Sequence, residues 1–187
     1  MNRYISDSHF GHKNVIEFNN RPFSNVDEMD RYMIDSWNLT VNKDDDVYIG
    51  GDLIYRSDRE FSWYLNQLNG RLHLCIGNHD GKLLKDSKAM SRFERVDKMM
   101  HVVDGKNHIH LCHFPMAEWN GMHKGTYHMY GHVHGITDTS LIMSQREKAL
   151  YIGADITGFV PITFNEAIAV NNRYRSLVRM KYMNITD

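Results

Sequence analysis

Residues 4–12 read YISDSHFGH, which places an acid and two imidazoles directly after a short apolar start. If Tyr4 and Ile5 belong to a buried strand, the end of that strand carries Asp7 and His9 two positions apart. Side chains at positions i and i+2 leave a strand on the same side. This stretch therefore predicts two candidate metal ligands that point at one place. Any further ligands would have to come from other strands.

Four later apolar runs also end in side chains that can bind metal ions. The runs VYIGGD, LHLCIGNHD, HIHLCHFP and YHMYGHVHG carry Asp52, then Asn78, His79 and Asp80, then His113, and then His132 and His134. In open α/β sheets, sites form where strand ends and their following loops converge. A single Gly-Asp or Asn-His-Asp step is common in ordinary turns. The complete ordered set is difficult to obtain as unrelated turns, so we predict one shared metal site.

Three helix starts are predicted between the apolar runs, each from a polar cap residue with Glu three positions later. The pairs are Asn25 with Glu28, Ser57 with Glu60, and Thr163 with Glu166. Apolar residues at helical spacing extend the first helix to Thr40, and Gly70 is expected to end the second. We therefore expect helices that pack on a sheet.

Strands are predicted at six further apolar runs. They cover residues 47–50, 72–76, 98–103, 108–112, 126–130 and 150–152. Asp104 and Gly105, between two of these runs, indicate a hairpin turn. Helices that alternate with strands early in the chain, followed by hairpin-rich sequence, are typical of a mixed α/β fold with the helices outside.

The composition limits the class of protein and its partners. The chain has 187 residues, which suits a single domain over 1–187. Its 23 acidic and 22 basic residues give a formal charge of −1, so neither an extended nucleic-acid footprint nor a membrane-surface interaction is expected. Cys75 and Cys112 lie in apolar runs, which favours reduced thiols and a cytoplasmic protein. No apolar run approaches the roughly 18 residues of a membrane span, so we expect no membrane partner.

The ordered motifs resemble those of the calcineurin-like metallophosphoesterase superfamily, whose series is D-x-H, G-D, G-N-H-D/E, H and G-H-x-H. Here the series runs through Asp7-Ser8-His9, Gly51-Asp52, Gly77-Asn78-His79-Asp80, His113 and Gly131-His132-Val133-His134. The stretches DSHFGH at 7–12 and RPF at 21–23 are similar to a subgroup of small bacterial and phage-type phosphoesterases. The resemblance implies the family fold, a four-layer αββα sandwich of two mixed β-sheets flanked by helices.

The resemblance also implies two divalent metal ions. Carried over residue by residue, one ion would be held by Asp7, His9 and His134, and the other by Asn78, His113 and His132. Asp52 would bridge both ions. A set of carboxylates, imidazoles and one amide, without thiolate, suits Mn, Fe, Zn, Co or Ni, with Mn favoured.

A chain with this site is expected to be a metal-dependent hydrolase of small phosphate esters, acting as a phosphodiesterase or phosphatase. A hydroxide that bridges the two ions would attack phosphorus in line. His79, which is not a ligand in the family, would protonate the leaving oxygen or stabilise the phosphoryl oxygens, and Asp52 would share in catalysis. The substrate-binding candidates are His12, Arg21, Asn78 and His79. For Arg21, a structural role as a cap on the preceding helix is an equal alternative.

Two other functions stay open from the sequence. A catalytically silent binding or scaffold protein would use the same fold, but such relatives usually lose ligand residues, and all are intact here. A nuclease acting on short oligonucleotides is compatible with the balanced charge, whereas long duplex DNA requires a basic patch. Turnover of an aryl phosphodiester with added Mn would separate an enzyme from a scaffold.

Overall fold

The structure is a computed structural model and describes residues 1–183. Within that range the strands are β1 Asn2–Ile5, β2 Asp46–Ile49, β3 Arg71–Cys75, β4 Phe93–Asp97, β5 Met99–Asp104, β6 Asn107–Cys112, β7 Tyr127–Tyr130 and β8 Ala149–Tyr151. The helices are α1 Lys13–Phe18, α2 Val26–Thr40, α3 Phe61–Leu65, α4 Ser87–Met90, α5 Asp138–Ser144, α6 Ala154–Thr157 and α7 Phe164–Met183. No helix in this part of the chain is long and apolar enough to span a lipid bilayer.

The strands of residues 1–183 form two four-stranded sheets. The first sheet has the order β1-β2-β3-β4 and is parallel throughout. The second sheet has the order β5-β6-β7-β8, in which β5 and β6 pair as an antiparallel hairpin and the other pairs are parallel. The carboxyl ends of β1, β2 and β3 therefore lie along one edge of the first sheet. The carboxyl ends of β6, β7 and β8 lie along one edge of the second sheet.

Alternating side chains along the strands bury both faces of each sheet. In β1, Tyr4 joins a buried cluster with residues of β5 to β8, whereas Ile5 packs with Trp37 of α2. In β8, Leu150 belongs to the same inter-sheet cluster, and Tyr151 packs with residues of α5 and α7. The layers are thus helices, parallel sheet, mixed sheet and helices, which is the predicted αββα sandwich.

The two sheets meet at the edges that carry the strand ends. The backbone N–H of Ser6, directly after β1, donates to the carbonyl oxygen of Ile152 at 2.8 Å. Ser6 also forms a β-bridge with Gly153, just after β8. Gly131, directly after β7, lies so close to Ser6 that an added Cβ would be 1.9 Å from its Oγ. Only glycine permits this approach, and it brings the loops of both sheets onto one spot.

Most of the predicted elements are confirmed. The six predicted strand runs coincide with β2, β3, β5, β6, β7 and β8 to within about one residue at each end. Asn25 Oδ1 accepts the N–H of Glu28 at 2.9 Å, as a helix N-cap does. The N–H of Thr163 donates to Oε2 of Glu166 at 2.7 Å, immediately before α7. Local capping chemistry therefore fixes the starts of the two longest helices.

Three details of the predicted fold are wrong. Ser57 and Glu60 do not form a capping box, because Ser57 Oγ accepts the N–H of Arg59 and α3 begins at Phe61. Gly70 does not end this helix, because α3 already ends at Leu65. The first sheet is parallel rather than mixed, because its connections pass over one face through helices and return each strand in the same direction. Its edge strand β4, with the largely exposed sequence FERVD, carries too weak an apolar pattern to be predicted.

Candidate metal centre

Asp7, His9 and His134 form the first group of donor side chains. Asp7 and His9 follow β1, and His134 follows β7. Nε2 of His9 lies 3.3 Å from Nε2 of His134, which in turn lies 3.9 Å from Oδ1 of Asp7. One donor atom from each residue lies within 4.8 Å of the other two. This spacing is one that a single metal ion can span.

Asn78, His113 and His132 form the second group. They follow β3, β6 and β7, so the group draws on both sheets. Oδ1 of Asn78 lies 2.9 Å from Nε2 of His113 and 2.9 Å from Nδ1 of His132. The three donor atoms therefore converge on one small volume.

Asp52, which follows β2, lies between the two groups. Its Oδ2 is 3.5 Å from Nε2 of His113 and 3.9 Å from Nε2 of His9. A carboxylate oxygen of Asp7 also lies within 4.8 Å of donor atoms of Asp52 and His113. The structure thus brings together the seven candidate ligands of the motif series. We call them the donor cluster: Asp7, His9, Asp52, Asn78, His113, His132 and His134. Their individual roles as ligands stay a prediction.

Backbone strain is concentrated in the loops that carry the donor cluster. Asp7, His9, Asp52 and His132 have positive φ angles of 55°, 52°, 54° and 68°. These values lie in the left-handed region that residues other than glycine rarely adopt. Such conformations cost on the order of 1–3 kcal/mol each and are found at functional sites, where surrounding contacts enforce them. The strained loops therefore direct the donor side chains toward one another, and the strain lowers the stability of the fold.

Buried hydrogen bonds hold these strained loops in place. Both carboxylate oxygens of Asp7 accept the N–H of His132, at 3.1 and 3.0 Å, which ties the loop after β1 to the loop after β7. Oδ2 of Asp80 accepts the N–H of Gly77 at 2.7 Å and that of Asp52 at 3.0 Å. Asp80 thereby joins the loop after β2 to the loop after β3.

Burial sets the charge states in the donor cluster. It raises the pKa of Asp7 to about 7, although the nearby His134 acts in the opposite direction. Burial lowers the pKa of His9 to about 2, and it also lowers the pKa values of His113 and His132. His134 is the exception: burial lowers its pKa, but the hydrogen bond to Asp155 and the charge of Asp7 outweigh burial and raise it. Neutral imidazoles offer the lone pair that a metal ion needs, and a cation stabilises a buried carboxylate in its charged form. The donor set therefore fits divalent metal ions.

The prediction that Arg21 binds substrate is wrong, because its side chain is fully buried behind the donor cluster. Nη2 and Nη1 donate to the carbonyl oxygens of Asp7 and Ser8, each at 2.8 Å. Nε donates to Oδ1 of Asp155, also at 2.8 Å. These partners lie outside α1, so the guanidinium group does not cap that helix. Arg21 instead supports the strained backbone after β1.

His79 and His12 line a cavity of about 280 Å³ beside the donor cluster. The side chain of His79 is 35% exposed, and its Nε2 lies 3.9 Å from Oδ2 of Asp52. His12 is 8% exposed, and its ring lies 5.7 Å from the ring of His9. Both side chains are close enough to the cluster for the predicted roles, while their contact with a substrate stays a prediction.

Tyr55 and Arg56 line the same cavity, and none of the sequence motifs predicts them. The ring of Tyr55 lies 4.0 Å from the ring of His79, and Cζ of Arg56 lies 5.1 Å from the centroid of the Tyr55 ring. Both residues follow Asp52 in the loop after β2. Their position in a loop that carries a predicted ligand is the signal by which the sequence could have identified them.

No protein-family model matches the chain. The uncharacterized protein MJ1445 of Methanocaldococcus jannaschii is 30% identical over 164 residues, which cover 86% of this chain and 85% of the archaeal protein. The chain belongs to the family of this archaeal protein. The ordered motifs, the two-sheet sandwich and the assembled donor cluster agree with the resemblance of the sequence to the calcineurin-like metallophosphoesterases.

A solved structure shares the fold of this chain. A protein of unknown function from Aquifex aeolicus, AQ665, superposes with a TM-score of 0.70 at 22% identity, over 89% of this chain and 96% of the other. A novel archaeal phosphodiesterase is 18% identical over 81% of each chain, with a TM-score of 0.44. The agreement with the Aquifex protein extends over nearly the whole of both chains and identifies the same fold.

Proposed function

We propose that this chain is a dinuclear metal-dependent hydrolase of small phosphate esters, a phosphodiesterase or phosphatase. The observation that carries the proposal is the position of Asp52. Its Oδ2 lies 3.5 Å from His113 in one group of donors and 3.9 Å from His9 in the other. A carboxylate shared between the two donor groups suits a pair of cations, because its negative charge offsets their mutual repulsion.

The donor cluster divides naturally between two ions. Asp7, His9 and His134 would hold one ion, and Asn78, His113 and His132 the other, with Asp52 shared. The absence of thiolate from this set favours Mn, Fe, Zn, Co or Ni, with Mn as the first choice. Two such ions would activate water for in-line attack and neutralise charge on the phosphoryl oxygens.

His79 supplies the proton that the leaving group needs. It is the half-exposed imidazole beside the donor cluster, and Oδ1 of Asp52 accepts its backbone N–H at 2.8 Å, which fixes the loop that presents it. Its ring nitrogen is free to donate to the leaving oxygen as the phosphorus–oxygen bond breaks. Asn78 directs Oδ1 toward two imidazoles, so its amide N–H group is available to a phosphoryl oxygen.

Metal analysis combined with turnover tests this function. The purified protein, supplied in turn with Mn, Fe, Zn, Co and Ni, is expected to bind two ions per chain and to hydrolyse a nitrophenyl phosphodiester. His101→Ala, on the exposed face of β5, is a matched control that should change neither result. Trace metal occupancy under all conditions would overturn the proposal. Two bound ions without turnover of any phosphate ester would favour the scaffold function instead.

A further inference from the structure

A cavity with aromatic walls opens beside the donor cluster. His12, Phe18 and Tyr55 line it, together with Val15, and we call these four residues the aromatic pocket. The ring of His12 lies 4.9 Å from that of Tyr55 and 6.4 Å from that of Phe18, in edge-to-face orientations of 80° and 71°. Rings that meet edge to face bound a space into which another flat ring can pack.

The four residues of the aromatic pocket include no acidic residue, lysine or arginine, while Arg56 lines the same cavity next to Tyr55. Neither ring nitrogen of His12 has a hydrogen-bond partner among the described residues. Phe18 is 71% exposed although it is a large apolar side chain. Small-molecule sites are typically concave and lined mainly by apolar and aromatic side chains with a few polar groups.

His79 connects the aromatic pocket to the donor cluster. Its ring contacts Tyr55 at 4.0 Å between centroids, while its Nε2 lies 3.9 Å from Oδ2 of Asp52. A phosphate ester bound at the cluster would therefore direct one of its ester groups past His79 and into the pocket. Since His79 is the proposed proton donor, the group on its side is the leaving group.

We propose that the aromatic pocket binds the leaving group, and that the substrates are phosphate esters whose leaving group carries a flat aromatic ring. This inference rests on the proposed function. In the reaction, water supplies an oxygen to phosphorus, the bond from phosphorus to the leaving oxygen breaks, and the leaving oxygen takes a proton from His79. The cavity of about 280 Å³ is at the small end of ligand sites, which measure about 300–1,000 Å³. It suits one ring system rather than a polymer.

Two phosphonates that cannot be hydrolysed measure this preference directly. Phenylphosphonate and ethylphosphonate carry the same charged group and differ in the ring, and calorimetry gives their affinities for the Mn-loaded protein. We expect phenylphosphonate to bind about tenfold more tightly, since aromatic contacts of this kind are each worth a factor of several. Adenosine 5′-phosphonate, measured in the same way, distinguishes the two possible sources of the ring. If it binds more tightly than phenylphosphonate, the natural ring is a nucleobase. If it binds more weakly, the natural ring is an aryl group.

Variants of Phe18 locate the preference in the pocket. Phe18→Ala is expected to remove most of the advantage of phenylphosphonate and to leave ethylphosphonate affinity unchanged. Phe18→Tyr keeps a ring and should preserve the advantage. Leu39→Ala removes an apolar side chain that is 87% exposed on α2 and serves as the matched control. The exposure of Phe18 makes each of its variants compatible with folding.

Three results would overturn the inference, and they show whether the proposed function fails with it. If the two phosphonates bind with equal affinity to a protein that still hydrolyses phosphodiesters, the aromatic pocket does not bind the leaving group. The proposed function is then unaffected. The same holds if Phe18→Ala weakens both phosphonates equally. If the protein binds neither phosphonate, holds only trace metal and hydrolyses no ester, both the proposed role of the aromatic pocket and the proposed function are wrong.

Discussion

Histidines occupy two regions of this molecule that look alike in sequence and differ in their surroundings. In the first region they follow strand ends, as His9 and His134 do, and their Nε2 atoms face each other at 3.3 Å. In the second they lie within strands, as His128 does in β7. Nδ1 of His128 donates to the carbonyl oxygen of His110 at 2.9 Å, and its Nε2 accepts the N–H of Met116 at 3.0 Å.

The difference shows how the fold decides what a histidine does. Inside the sheet, neighbouring backbone groups occupy both nitrogens of the His128 ring, so it has nothing left to offer a ligand. Beyond the strand ends, a ring keeps a nitrogen for another donor, as His113 does: its Nδ1 donates to the carbonyl oxygen of Gly50, and its Nε2 lies 2.9 Å from Oδ1 of Asn78. Position relative to a strand end therefore separates candidate ligands from structural histidines.

Asp52→Asn tests the strand-end region most severely. The change keeps the shape of the side chain and removes the negative charge between the two donor groups. Two neighbouring cations would then lose the compensation for their repulsion. We expect weaker binding of both ions and hydrolysis of a nitrophenyl phosphodiester below the limit of detection. Titration of Mn into the variant, with bound ions counted, measures the first effect, and steady-state turnover the second.

His9→Ala is the comparison variant for this test, because His9 belongs to one donor group only and should chiefly disturb one ion. If Asp52→Asn retained two tightly bound ions and near-normal hydrolysis, Asp52 would not be shared between ions. The dinuclear reaction as proposed would then be wrong.

His79→Ala separates proton donation from metal binding. His79 lies beside the donor cluster and is 35% exposed, so its removal should leave both ions in place. Hydrolysis is expected to fall on the order of 10²–10⁴-fold, the contribution of a single general acid. The loss should be smaller for esters with acidic leaving groups, which need less protonation. A variant that lost an ion, yet kept its activity per remaining site, would make His79 a ligand instead.

Asp155→Asn tests whether a residue outside the motif series orients a ligand histidine. Oδ2 of Asp155 lies 3.5 Å from Nδ1 of His134, and its Oδ1 accepts Nε of Arg21 at 2.8 Å. Loss of such an orienting carboxylate typically weakens metal binding about 10–100-fold. We expect that loss for one of the two ions, measured by Mn titration. Asp138→Asn, in the first turn of α5, is the control. Unchanged affinity would limit Asp155 to a purely structural role.

The donor cluster could be predicted from the sequence because each of its members lies within four positions of the end of a strand. The motif GHVHG after β7 illustrates this, since strand and ligands are neighbours along the chain. Arg21 could not be predicted in the same way. Its partner Asp155 lies 134 positions away, and the pair forms only because the edges of two sheets meet. Of the aromatic pocket, the sequence predicts only His12. Phe18 and Tyr55 do not follow from the sequence, because α1 and the loop after β2 become neighbours only in the folded chain.

His128→Gln tests the histidines within strands, and its effect is on stability rather than on catalysis. Burial lowers the pKa of His128 from its ordinary 6.5 to about 4 in the folded protein. Between these two values the unfolded chain binds a proton that the folded chain excludes, so the free energy of unfolding decreases as the pH falls from 6.5 toward 4. Protonation would also remove the acceptor for the N–H of Met116. This one residue should account for a loss on the order of 2 kcal/mol at the acid end.

The measurement is urea denaturation of the metal-free protein at pH 7 and at pH 4.5, for wild type and variant. Other titrating groups, including the histidines of the donor cluster, contribute to both proteins and cancel in the difference. His128→Gln is less stable than wild type at pH 7, because it loses buried hydrogen bonds, but it should lose less further stability on acidification. His101→Gln, on the exposed face of β5, should follow wild type at both pH values. Equal pH dependence of His128→Gln and wild type would mean that His128 can be protonated within the folded sheet, and the distinction between the two regions of histidines would then fail.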